Sequence, residues 1–301
     1  MTRQPLYTHR RAPGRVSRIA VVGLITAVAL STTLNAAAAD PIPPGDNELT
    51  ADLGHTRMTV FTHRPKCEEP SLLLVFHGLG RNAEGYRNRA RRLGDRLCAI
   101  VVTPLFDTKR FPSWRYQRGG VVEGRTVKPP SEWTGRFAID LVNWVQKQEA
   151  RSMPYSLIGH SAGGQFLSRL AAFVPTAARR IVVANPSTYV FPSLDIEAPY
   201  GLRGVYRGAE AEAALRRYLA APVTIYLGQE DTGDENRADN RQARAQGETR
   251  YDRGRNAFAA GQKAAQARRV PFNWRLVELP GAGHSSRDMF TAPEALKALE
   301  P

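Results

Sequence analysis

Gly159-His160-Ser161-Ala162-Gly163 is the segment that most narrows what this chain can fold into. It follows an apolar run, Tyr155-Ser156-Leu157-Ile158, and leads into a stretch where Phe166, Leu167, Leu170, Ala171 and Val174 recur at helical spacing until Pro175. A strand that turns directly into a helix forces strained backbone angles on the residue at the turn. Small neighbours at Gly159 and Gly163 let the two elements approach without a side-chain clash, so the pattern predicts a strand, a sharp turn carrying Ser161, and a helix.

The same alternation runs through the chain. Arg57 to Phe61 predicts an early antiparallel strand with Met58 and Val60 on one face, after an extended lead-in over Asp40 to Asp46. Ser71 to Phe76 and Ala99 to Val102 are continuous apolar runs of the kind covered on both faces, joined by a polar helix from about Ala83 to Arg96. Phe137, Leu141, Trp144 and Val145 mark a helix over Arg136 to Ala150, with Trp144 in its packed face. Strands at Ile181–Ala184, Val223–Leu227 and Phe272–Glu278 alternate with helices near Glu210–Leu219 and Arg253–Arg268. Fewer than 40 residues separate the first two of these strands, which leaves space for a small cap or an open cleft but no large lid. The fold class is α/β, one domain with a mostly parallel sheet.

Three segments at the ends of predicted strands then fall in the order Ser161, Asp231 in Gly228-Gln229-Glu230-Asp231, and His284 in Gly281-Ala282-Gly283-His284. With this order, and with Ser161 on a strand-to-helix turn, the chain resembles the serine-dependent α/β-hydrolases. The resemblance implies Ser161 as nucleophile, His284 as general base and Asp231 as the acid that orients it. Asp234 and Asp239 compete with Asp231, which is preferred because it directly follows a strand. His55, His63, His77 and His160 all precede Asp231, so His284 alone keeps the order. The Ser71–Phe76 strand runs into His77-Gly78-Leu79-Gly80, which looks like an oxyanion loop: the resemblance implies one backbone donor at Ala162 and another here, at Leu79. His77-Gly78-Leu79-Gly80-Arg81-Asn82 and the Gly281–His284 ending are most similar to the secreted polyhydroxyalkanoate-depolymerase-like and feruloyl-esterase-like branch. That branch implies cleavage of carboxylic esters with no metal or cofactor. A peptidase using the same three residues is the enzymatic alternative, and a noncatalytic binding protein on the same scaffold is the other.

Residues 1–39 carry a targeting pattern: five arginines without an acid, an apolar Ile19–Leu30 core, and Ala37-Ala38-Ala39 as a cleavage site. The expectation is a signal peptide over residues 1–39, a catalytic domain over 40–301, and a periplasmic or extracellular monomer without stable membrane insertion. The net charge of +14 falls to +9 once those five arginines are set aside. The remaining basic residues scatter through every predicted helix and no nucleic-acid motif accompanies them, so no nucleic-acid partner is expected; a positive field still favours anionic esters or polymers. Export permits a disulfide between the only two cysteines, Cys67 and Cys98, which the family's strand order places on parallel neighbours away from the site. Two buried thiols are the alternative. Trp114, Tyr116 and Tyr189 fall in loops at the catalytic edge, where they serve either as a substrate wall or as packing anchors.

Overall fold

Leu72, Leu73, Leu74, Val75 and Phe76 are all buried, and the two-residue period of a strand divides them between two cores. Leu72, Leu74 and Phe76 enter one, Leu73 and Val75 the other. The structure is a computed structural model and describes residues 40–300; the signal peptide read over residues 1–39 lies outside the described residues.

The chain runs β1 (Gly45–Asp52), β2 (Arg57–Arg64), β3 (Ser71–Phe76), α1 (Ala83–Leu97), β4 (Ala99–Pro104), a ribbon of β5 (Val122–Glu123) and β6 (Thr126–Val127), α2 (Arg136–Gln148), β7 (Tyr155–His160) and α3 (Ala162–Phe173). It continues through β8 (Arg180–Ala184), α4 (Gly208–Leu219), β9 (Val223–Gly228), α5 (Arg241–Arg244), α6 (Arg250–Arg268), β10 (Arg275–Leu279), α7 (Ser286–Thr291) and α8 (Glu294–Leu299). Eight strands form one sheet in the order β1-β2-β4-β3-β7-β8-β9-β10. β1 and β2 pair antiparallel and β2 joins β4 antiparallel, while every pairing from β4 to β10 is parallel. Parallel neighbours need crossovers, and these place helices on both faces. α2, α3, α4 and α6 contribute to the core that receives Leu72, whereas α1, α7 and α8 contribute to the core that receives Leu73.

The predicted strands and helices appear with shifted ends, and β1, the β5–β6 ribbon, α5, α7 and α8 are new. The lead-in read through Asp46 already contains the start of edge strand β1, in which only Ala51 is buried. Charged and polar residues alternate there with Leu49 and Ala51, so no continuous apolar run announces it. α6 begins at Arg250 rather than Arg253 because Thr249 caps it: the Thr249 side chain accepts from the Asp252 N–H and the Asp252 carboxylate returns to Thr249.

Cys67 and Cys98 are joined in a disulfide with a Cα–Cα separation of 6.0 Å. Cys98 adopts a left-handed conformation at the end of α1, just before β4, and Ser71 of β3 pairs with Ala99 of β4. The bridge therefore closes the amino ends of two parallel strands, and Ser161 follows the carboxyl end of the next strand, β7.

Candidate active site

Ser161 has φ 57 and ψ −114, a conformation that L-residues adopt only under constraint. The constraint is the approach of α3 to the sheet. A Cβ on Gly163 would lie 2.1 Å from the Phe76 carbonyl oxygen, and one on Gly159 would lie 2.4 Å from the Gly163 carbonyl oxygen. Neither position accepts a side chain. The Ser161 N–H donates to the Ala184 carbonyl at 2.9 Å, which fixes the turn to β8. No side chain caps α3, and Ala162 is its first residue, so the Ala162 N–H has no acceptor within the helix.

Ser161, His284 and Asp231 form one hydrogen-bonded chain. Ser161 Oγ lies 3.0 Å from His284 Nε2, and His284 Nδ1 lies 2.7 Å from Asp231 Oδ2. Asp231 is 1% exposed and is the one of the three candidate aspartates brought to His284, whereas Asp234 and Asp239 are exposed on the loop that follows. The carboxylate is thus fixed, as an orienting acid must be.

Backbone contacts bring the two loops together across 53 residues of sequence. The Glu230 N–H donates to the Ala282 carbonyl at 2.9 Å and the Gln229 N–H to the Leu279 carbonyl at 3.0 Å. Asn185 joins them from β8: its Oδ1 accepts from the Gly228 N–H at 2.9 Å and its Nδ2 donates to the Gly283 carbonyl at 3.2 Å. The role of Asn185, illegible in sequence, is to hold the acid and histidine loops in register.

The loop after β3 meets Ser161 from the other side. A Cβ on Gly78 would lie 3.7 Å from Ser161 Cβ, and the Arg81 N–H closes a turn onto the Gly78 carbonyl at 3.2 Å, leaving Leu79 and Gly80 at its centre. Leu79 is 42% exposed, facing solvent beside the serine. His77 anchors the turn from within: its Nε2 accepts from the Phe106 N–H at 3.1 Å, so the ring proton resides on Nδ1, which donates to the Gly78 carbonyl at 3.0 Å. Burial pushes the His77 pKa down to about 4 and keeps this tautomer neutral. Arg81 adds donors to the Phe106 and Phe111 carbonyls at 2.7 and 2.9 Å.

Three further supporting residues escaped sequence reasoning. His160 packs its ring 4.7 Å from that of His284, and burial, followed by the charges of His284 and Arg250, holds its pKa well below the usual histidine range. A neutral ring therefore faces His284. Tyr86 Oη lies 3.0 Å from His160 Nδ1. Arg250, 2% exposed, donates to Asp231 Oδ1 at 3.3 Å. No sequence signal singled it out: the predicted helix began at Arg253, and α2 and α5 also begin with an arginine, each of them exposed.

The proposed aromatic wall needs correction. Tyr116 is 0% exposed; its ring stacks on Phe106 at 4.8 Å and its hydroxyl donates to the His77 carbonyl at 2.7 Å. Tyr189 is 2% exposed, with its backbone held by the Gln246 side chain. Both are packing anchors because their rings fill the core beneath the loops. Trp114 is half-buried and remains the one aromatic of the three with surface to offer a substrate. Among the described residues no group of three or more His, Cys, Asp or Glu side chains is arranged to hold a metal ion.

Sheet order, nucleophile turn and loop positions coincide with a sequence match over residues 72–299 to the alpha/beta hydrolase family. The chain belongs to the α/β-hydrolase family. Poly(3-hydroxybutyrate) depolymerase LpqC from Bordetella parapertussis is 31% identical, with a TM-score of 0.78 over 85% of this chain and 90% of that one. Poly(aspartic acid) hydrolase-1 from Sphingomonas sp. KT-1 is 32% identical, with a TM-score of 0.78 over 85% of this chain and 99% of that one. The Staphylococcus aureus fluorophosphonate-binding serine hydrolase FphF shares the fold at 13% identity and a TM-score of 0.52, over 86% of this chain and all of that one. No curated protein sequence matches the chain. The chain is thus a hydrolase similar to the depolymerase-like esterase branch.

Proposed function

We propose that this α/β-hydrolase is an exported serine hydrolase that cleaves carboxylic esters, small, aryl or oligomeric, through Ser161, His284 and Asp231. The observation that carries the reading is the chain from Ser161 Oγ through His284 to buried Asp231, at 3.0 and 2.7 Å, with the serine held at φ 57. His284 Nε2 takes the Ser161 proton as the oxygen attacks the carbonyl, and Asp231 stabilises the imidazolium. The N–H groups of Ala162 and Leu79 hold the oxyanion, the former aided by the positive end of α3. His284 then protonates the leaving alcohol, and water repeats the attack on the acyl-enzyme. Trp114 contacts the larger substrates.

Export rests on the leader over residues 1–39, with the catalytic domain over 40–301 acting as a monomer. The Cys67–Cys98 bridge supports an oxidising compartment, and among the described residues no helix is long and apolar enough to cross a membrane.

A second reading is cleavage of amide bonds in an anionic polymer. It is favoured by the likeness to poly(aspartic acid) hydrolase-1 over 99% of that chain, together with the excess of 37 Lys and Arg over 28 Asp and Glu that remains once the five leader arginines are taken from 42. Labelling by a fluorophosphonate, abolished in Ser161→Ala, tests the catalytic reading; an unlabelled wild type would leave a binding protein on a hydrolase scaffold. Turnover of 3-hydroxybutyrate oligomers against poly(aspartic acid) then separates ester from amide.

A further inference from the structure

Arg250 and Arg253 are among the largest fully buried side chains of the molecule, and both lie in the first turn or so of α6. Burial of a guanidinium and its placement at a helix N-terminus are each unfavourable, so the loop they enter must supply compensating acceptors. It does so with backbone carbonyls, joined by the Ser187 carbonyl from the segment after β8. Arg253 donates to Ser187, Ala238 and Gly247 at 2.7, 3.0 and 2.9 Å. Arg250 donates to Gly233 at 3.1 Å and to Glu235. Both residues thus fasten the loop between β9 and α6, but only Arg250 also reaches a carboxylate, Asp231 Oδ1 at 3.3 Å.

Asp231 therefore sits between two partners, with His284 on Oδ2 at 2.7 Å and Arg250 on Oδ1. Around this pair stand the buried Tyr189 hydroxyl, which has no hydrogen-bond partner, the charges of Arg237 and Glu235, which act on Arg250, and, facing His284, the neutral ring of His160, on which Arg89 acts. Arg250 is the cation hydrogen-bonded to the carboxylate that His284 shares.

We propose that Arg250 is a positioning residue with a second role: it fixes the acid loop, and its charge weakens the hold of Asp231 on a protonated His284, extending activity to lower pH. The inference rests on the reading of Ser161, His284 and Asp231 as the catalytic residues. A unit charge a few ångströms beyond the carboxylate, in a medium of effective dielectric about 20, is sufficient to move a titration by about one pH unit.

The test is the pH dependence of kcat/KM on a short-chain aryl ester, whose acid limb reports the free enzyme. R250M should raise the midpoint of that limb by about one unit and lower the plateau about tenfold or more. R250K keeps the cation but loses the planar fork, so its midpoint should stay within about 0.2 unit of wild type while its plateau falls about tenfold. R253M removes a comparably buried arginine without touching Asp231 and should leave the midpoint in place. The midpoint does not depend on the amount of active enzyme, so partial folding does not obscure it.

A midpoint in R250M within about 0.2 unit of wild type, or an equal shift in R253M, overturns the inference while leaving the catalytic reading intact. Should R250M fail to fold, R250K decides: an undiminished plateau or a raised midpoint overturns it. A wild-type chain that neither turns over ester nor accepts a fluorophosphonate overturns the catalytic reading, and this inference with it.

Discussion

Acidification should loosen the His77–Asn82 loop through one buried side chain. In the folded chain His77 is neutral, accepting from the Phe106 N–H at 3.1 Å while donating to the Gly78 carbonyl at 3.0 Å. A second ring proton would face the Phe106 N–H donor to donor. Burial is the first cause of the depressed pKa, which falls from an ordinary 6.5 to about 4. The unfolded chain therefore binds this proton first as pH drops. The stabilisation is complete above the unfolded value, is lost progressively between about 6.5 and about 4, and changes little below; at about 1.4 kcal/mol per unit it amounts to about 3 kcal/mol. His160, also depressed by burial, adds to the wild-type slope in the same direction, so the effect is best read as a difference between variants. His77→Gln retains a donor and an acceptor but does not titrate. It should be less stable than wild type by about 1–2 kcal/mol near neutrality, from imperfect hydrogen bonds, and should lose less on acidification, so that the two stabilities cross near pH 5. Urea unfolding followed by tryptophan fluorescence, at several pH values between about 8 and about 4 with the disulfide intact, measures this. Parallel stability curves for the two proteins would refute the argument, because a histidine that is not held neutral by the fold leaves no pH-dependent difference.

Three further outcomes are expected. Thiol titration of denatured, unreduced protein should find no free thiol, and reduction of the bridge across 31 residues should cost about 3–4 kcal/mol by loop closure, read as a lowered Tm. Gly163→Ala places a Cβ 2.1 Å from the Phe76 carbonyl oxygen, so it should cost about 2–4 kcal/mol in urea unfolding and depress ester turnover; a change under about 0.5 kcal/mol would contradict the close packing of the turn. Trp114→Ala should reduce kcat/KM about ten- to a hundred-fold on bulky aryl or oligomeric esters while sparing acetate esters, and equal losses on both with a lower Tm would make Trp114 another packing anchor.

The strand-to-helix turn at Ser161 was legible in sequence because its cause is local: Gly159 and Gly163 flank Ser161, and the apolar run before them and the periodic run after them specify strand and helix at short range. The parallel sheet and the meeting of Ser161, His284 and Asp231 at its edge were legible from strand ends, which apolar runs mark well. β1 escaped because an edge strand buries little and is defined by the partner it pairs with, Arg57–Arg64, rather than by its own composition. Tyr116 lies only two residues from Trp114, and nothing in the intervening sequence says which ring turns inward. That choice belongs to Phe106, Phe166 and the His77 carbonyl, which surround Tyr116 only after β3, β4 and α3 have packed. The bond of Arg250 to Asp231 likewise spans 19 residues and exists because the loop between them folds back over a buried guanidinium. Backbone geometry and apolar periodicity act over a few residues and can be read from the chain. The neighbours that neutralise, orient or bury a side chain are recruited from distant segments, and only the tertiary structure selects them.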